Sequence, residues 1–155
     1  MLATALLFSI SACQATEETV QADFLTTVKT KEFNLELYNE QDRCAIKFNN
    51  APEGKLLNIP YPCGFVRATP TSTAQTYHYD DTGHVFVIAG PLADKSNYKT
   101  NDSVSAKHKC SNSGQAVIIK EGQLILQKGQ HITPGFCHHL GFDEKDYYGF
   151  SHPVD

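Results

Sequence analysis

The sequence predicts a mostly β fold: a small antiparallel sandwich or barrel stapled by two disulfides. Three observations carry this. Apolar residues recur with a period of two over most of the chain. Turn-forming clusters separate the alternating runs. An even set of four cysteines, Cys44, Cys63, Cys110 and Cys137, lies within the patterned region.

The elements follow in order. Phe33, Leu35 and Leu37 alternate with polar neighbours. Asn39-Glu40-Gln41-Asp42 makes a turn, and Cys44, Ile46 and Phe48 resume the alternation, so the pair reads as a hairpin with one buried face. Asn49 to Gly54 is a second turn cluster. Leu56, Leu57 and Ile59 lead to Pro60-Tyr61-Pro62, which must interrupt regular pairing because proline lacks a donor. Residues 63–67 and 76–79 are strand-like. Asp80-Asp81-Thr82-Gly83 is a turn, and residues 84–89 (HVFVIA) are strongly β-forming. Residues 90–109 form a long polar loop. Residues 115–120 and 123–127 flank Glu121-Gly122 in the clearest hairpin. The tail from Gly129 has no regular period. About seven short strands result, with at most a short helix at either end.

Composition excludes several classes. The 155 residues carry 13 basic and 17 acidic side chains, a net charge of −4, with no basic run. Nucleic acid is therefore not an expected partner. Hydrophobic content of 41% fits a packed domain rather than disorder throughout. No apolar run approaches the roughly 18 residues of a membrane span.

Residues 1–12 are apolar, uncharged and end in small residues, the form of a secretory signal. Ile10-Ser11-Ala12-Cys13 resembles the lipobox of bacterial lipoproteins, although no Lys or Arg precedes it. The resemblance implies cleavage before Cys13, acylation of Cys13, and a membrane anchor. Gln14 in place of an aspartate after the cysteine implies the outer membrane. The alternative is an ordinary secretory peptide cut after Ala12 or Ala15. The expected organisation is a signal peptide (1–12), a lipidated N-terminus and polar tether (13–30), and one β-rich domain (31–155).

With Cys13 set aside, four cysteines in an exported chain read as a disulfide framework. Three pairings can be drawn; Cys44 with Cys63 and Cys110 with Cys137 is the most local. No C-x-x-C spacing supports a structural zinc site.

Seven histidines stand at 78, 84, 108, 131, 138, 139 and 152. No H-x-x-x-H, G-x-S-x-G, Gly-rich phosphate loop or H-E-x-x-H occurs. Neither a metal nor a cofactor is expected; His138, His139 and His152 are the weak candidates for a metal. Asp80-Asp81 reads as a turn, and Ser151-His152 as neighbours rather than a catalytic pair.

The C-terminal segment mixes aromatics, acids and glycine. Phe142, Asp143, Glu144, Asp146, Tyr147 and Tyr148 are the candidate binding residues, because aromatics are enriched where proteins meet. The alternative is that Phe136, Phe142 and Phe150 plug the end of the sheet.

The expected function is that of an outer-membrane-anchored periplasmic protein-binding module, without enzymatic activity. An inhibitor or immunity protein against a cell-wall hydrolase or toxin is the leading form. The alternatives are an envelope assembly or structural lipoprotein, and a histidine-based metal-binding domain.

Overall fold

The structure is a computed structural model that describes residues 23–69, 71–93, 110–137 and 139–152, and only the backbone over 129–136. Cys13, residues 94–109 and His138 lie outside the described residues.

Nine strands and one helix are described: β1 (Thr27–Lys29), β2 (Asn34–Glu40), β3 (Arg43–Phe48), β4 (Lys55–Pro60), β5 (Gly64–Phe65), β6 (Tyr77–Tyr79), β7 (Gly83–Ala89), β8 (Ser111–Lys120), β9 (Gln123–Phe136) and α1 (Glu144–Ser151). Strands β1 to β4 form an antiparallel meander. The second sheet runs β5-β7-β8-β9, with β6 also paired to β7.

Two-residue turns set the hairpin registers. Gln41 and Asp42 both have positive φ (53° and 61°), as do Glu121 and Gly122 (50° and 72°). These match the type I′ geometry that suits the right-handed twist of paired strands.

Alternation then sorts the side chains. Leu35, Leu37, Cys44, Ile46, Leu57 and Ile59 of the first sheet meet Phe65, Phe86, Ile88, Val117 and Ile119 of the second in one core. Because strand side chains alternate between faces, the other residues of β7 and β8 point away from the first sheet. Val85, Val87, Ala89, Ala116 and Ile118 form a second core with Phe142, Tyr147 and Phe150 from the C-terminal segment. The central strands are thus apolar on both faces, as the unbroken run at 84–89 required. The molecule has three layers: sheet, sheet and helix.

The sandwich is tied at both edges. On one, Leu37 N–H donates to Thr26 C=O and Phe65 N–H to Leu25 C=O, both at 2.8 Å. The segment before β1 thereby straddles the two sheets. A Cβ on Gly64 would sit 2.7 Å from the Phe24 ring, so this approach needs a glycine. On the other edge, buried Gln115 accepts from Asn58 N–H at 2.6 Å and donates to Gln127 C=O at 2.5 Å. The Gln127 amide donates in turn to Ser151 C=O at 3.0 Å, which joins the helix to the same chain of bonds.

Both disulfides take the most local pairing, Cys44–Cys63 and Cys110–Cys137. The first links β3 to the residue entering β5, and so crosses from one sheet to the other. The second joins the residues just before β8 and just after β9.

Two expectations are corrected. Residues 27–29, assigned to the tether, form an edge strand, and Leu25 and Val28 pack on the first core. The ordered domain therefore begins before residue 31. Strand β9 extends to Phe136 instead of ending near 127. Register shifts between Ser111 and Ser113, and between Gln115 and Val117, let the ladder continue where Gly129 and Pro134 break the sequence period.

Candidate functional site

The C-terminal segment begins with a loop fixed by Gln75. Its amide donates to Phe142 C=O at 2.6 Å and its carbonyl oxygen accepts from Phe142 N–H at 2.8 Å. Asp143 then caps α1, its Oδ1 accepting from Asp146 N–H at 2.9 Å. This cap, with acidic residues in the first turn, favours a helix at this point.

The helix divides the six candidate binding residues into two sets. Phe142 and Tyr147 are buried in the second core, Tyr147 completely. Their assignment to a binding surface is corrected: the spacing of Phe142, Tyr147 and Phe150 turns these rings onto the sheet. Tyr147 Oη donates to Gln75 C=O at 3.1 Å, and burial holds its phenol far above the usual tyrosine pKa. Asp143, Glu144 and Tyr148 are exposed, and Asp146 is half-buried.

Tyr148, 54% exposed, is the most exposed large apolar side chain described. Its ring stacks on His152 at 4.1 Å and 15° between planes, and Tyr79 meets it edge-on at 5.8 Å. Tyr79 Oη donates to Glu144 C=O at 3.1 Å, which ties the β6 end to the helix start. The turn after β6 closes the other side: Asp81 Oδ2 lies 3.9 Å, and Thr82 Oγ1 3.2 Å, from His152 Nε2. The outcome is an aromatic shelf of Tyr79, Tyr148 and His152, with Asp81 on one side and Glu144 on the other, next to Asp143 at the helix cap. Such a surface can press a rigid aromatic against a partner while its acidic rim favours a positively charged one.

Asp146 adds a pH dependence. Burial, then the neighbouring Asp143 charge, raises its pKa above the usual carboxylate value. The folded state therefore disfavours the charged form. This penalty is absent below the ordinary aspartate value of about 3.9, grows as the pH rises from there through the raised value, and is constant above it. Asp146→Asn is expected to raise Tm at pH 7 by on the order of 1–3 °C. The gain should fade below about pH 4, as thermal melts across pH will show.

The histidine candidates fare differently. His152 engages both ring nitrogens, Nδ1 lying 2.9 Å from Ser151 Oγ and 3.2 Å from Tyr148 C=O. It serves as a strut for Tyr148. His139 is half-buried, and His138 is outside the described residues. Ser151 and His152 do touch, yet Ser151 is 4% exposed and its hydroxyl donates to Tyr148 C=O at 3.1 Å. It offers no accessible nucleophile. Among the described residues no three His, Cys, Asp or Glu side chains gather as a metal cluster.

Tyr79 and Asp81 were not among the sequence candidates. The Asp-Asp-Thr-Gly pattern signalled a turn, and nothing local showed that the turn would meet the C-terminal helix about 70 residues later.

The fold and its surface define a disulfide-stapled, three-layer β domain with a rimmed aromatic shelf. Comparison with family models, characterised proteins and solved structures finds no match.

Proposed function

We propose that this chain is an outer-membrane lipoprotein, acylated at Cys13, whose β domain binds a protein in the periplasm through the Tyr79–Tyr148–His152 shelf. The reading is of an inhibitor or immunity protein that occupies a basic cell-wall hydrolase or toxin. One observation carries it: Tyr148 is held exposed by stacking on His152, while its neighbours Tyr147 and Phe150 are spent on the core. A large aromatic ordered in solvent is costly unless something covers it. The acidic rim gives the partner a sign. The two disulfides suit an oxidising compartment.

The test is affinity against basic wall hydrolases and toxins, lysozyme included, by surface-immobilised binding. Tyr148→Ala is expected to weaken binding by about tenfold or more while Tm stays within experimental scatter. Asp143→Asn with Glu144→Gln should slow association and flatten its salt dependence. Equal affinity of wild type and Tyr148→Ala for a partner that binds would remove the shelf from the interface. Labelling with a palmitate analogue tests the anchor: label is expected on the wild type and none on Cys13→Ser.

A further inference from the structure

A second constellation lies away from the shelf residues, where β6 and β7 face the first sheet. His78 and His84 are directly paired in the antiparallel register. Residues so paired project from the same face, with Cβ atoms about 4.5–5.5 Å apart. The two imidazole rings lie 4.6 Å apart, centroid to centroid. Strand alternation puts His84 on the side of Phe86 and Ile88, toward the first sheet. There the rings border a cleft of about 390 Å³, with Phe33 and Phe48 on its wall and Glu32, Asp80 and Glu121 at its margin. Phe33 packs 6.1 Å from the His84 ring.

What sets this pair apart from His152 is unused chemistry. Among the described residues neither ring is hydrogen-bonded to the protein, and the polar group that approaches is Asp80 Oδ1, 3.9 Å from His78 Nε2. His78 is half-exposed, so a solute can reach it.

We propose that His78 and His84 form a two-imidazole site for a late first-row divalent metal, copper(II) or zinc(II). Imidazole nitrogens suit both ions, and the general affinity order places copper(II) above zinc(II). A cross-strand pair costs little to organise, because the ladder fixes both backbone positions and the Phe33 contact restricts the His84 ring. Asp80 Oδ1, 3.9 Å from His78 Nε2, adds a negative charge beside the pair that favours a cation there. With two protein ligands the coordination shell stays open, and water or a further ligand fills it. The site is thus one of exchangeable binding and not a closed structural centre.

The experiment adds copper(II), then in a separate series zinc(II), to the purified full chain. It follows calorimetry together with the histidine ring signals by NMR. The His78 and His84 signals are expected to respond first, broadened by copper(II) and shifted by zinc(II). His84→Ala and His78→Ala should each weaken binding by about tenfold or more, whereas His152→Ala should leave it within about twofold. Far-ultraviolet circular dichroism of each variant verifies that the sheet persists, and the exposed His78 position gives a variant with little packing to lose. Unchanged affinity in both the His78 and His84 variants, or ring signals of these two that stay fixed at one equivalent of metal, overturns the proposal.

Discussion

Tyr147→Ala is expected to destabilise the domain by about 3–5 kcal/mol, the range for truncating a buried aromatic. The ring is fully buried, 4.9 Å from Tyr77 and 6.3 Å from Phe142, and lies between the helix and the outer face of the second sheet. Alanine leaves a cavity that the flanking strands cannot close, because their registers are fixed by the ladder. It also strands Gln75 C=O, the hydroxyl's acceptor, beside the Gln75 side chain that holds Phe142. Urea midpoints measure the loss, and hydrogen exchange should show α1 released first. Tyr147→Phe separates the hydroxyl from the ring and should cost about 1 kcal/mol. The pH response has a defined sign. Burial raises the phenol's pKa, so its contribution is complete below the ordinary tyrosine value of about 10 and falls as the pH rises above it. Tyr147→Phe should reduce that alkaline loss. Because α1 also carries Tyr148, the alanine variant should lose binding along with stability, whereas Tyr148→Ala loses binding alone.

The helix shows where the sequence could and could not be read. Period-two alternation in Phe33-Leu35-Leu37 and Cys44-Ile46-Phe48 identified both the strands and the faces that enter the first core, although Ala45 on the other face of β3 is buried too. The run at 84–89 signalled a strand but not its surroundings. Apolar residues on both faces meant a third layer, and that layer proved to be the eight-residue α1. A helix this short gives too few turns for a clear period. Its aromatics therefore read equally as surface or plug, and the structure splits them by residue: Phe142, Tyr147 and Phe150 inward, Tyr148 outward.

The candidate surfaces were less legible, because they depend on register. Asp143 and Glu144 were recognisable from composition, but that Asp143 caps a helix emerged only from the structure. Tyr79 and Asp81 join them only because the β6–β7 turn reaches the helix. His78 and His84 are six positions apart, on strands whose register was undefined until the Asp80-Asp81-Thr82-Gly83 turn had a geometry. A one-residue slip would send the two rings to opposite faces. The local disulfide pairing, by contrast, was open to inspection, because hairpin-rich chains bring neighbouring strand ends together.

Replacing both cysteines of either bridge with alanine is expected to cost about 3 kcal/mol on the chain-entropy model, since the closed loops are of similar length. The two losses should differ in kind. Cys44 and Cys63 are both fully buried in the first core and join strands of opposite sheets. Without that bond the sheets are held together by apolar packing, the Leu25–Phe65 bond, the Lys55–Leu124 bond and the Gln115 bridge, so the whole domain should weaken and unfold as one unit at a lower urea midpoint. Cys110–Cys137 instead closes the open end of the β8–β9 pair, beyond a ladder that already holds the strands. Its loss should also show as early hydrogen exchange near Ser111 and Ser113. Removing both bridges subtracts about 6 kcal/mol if the effects add, against the roughly 5–15 kcal/mol that an ordinary domain possesses. The four-alanine chain, or the wild type under strong reductant, should therefore be largely unfolded at 37 °C by circular dichroism. A doubly reduced protein that keeps a cooperative melt well above that temperature would mean that the cores and the edge bonds suffice, and that the bridges add durability more than they enable folding.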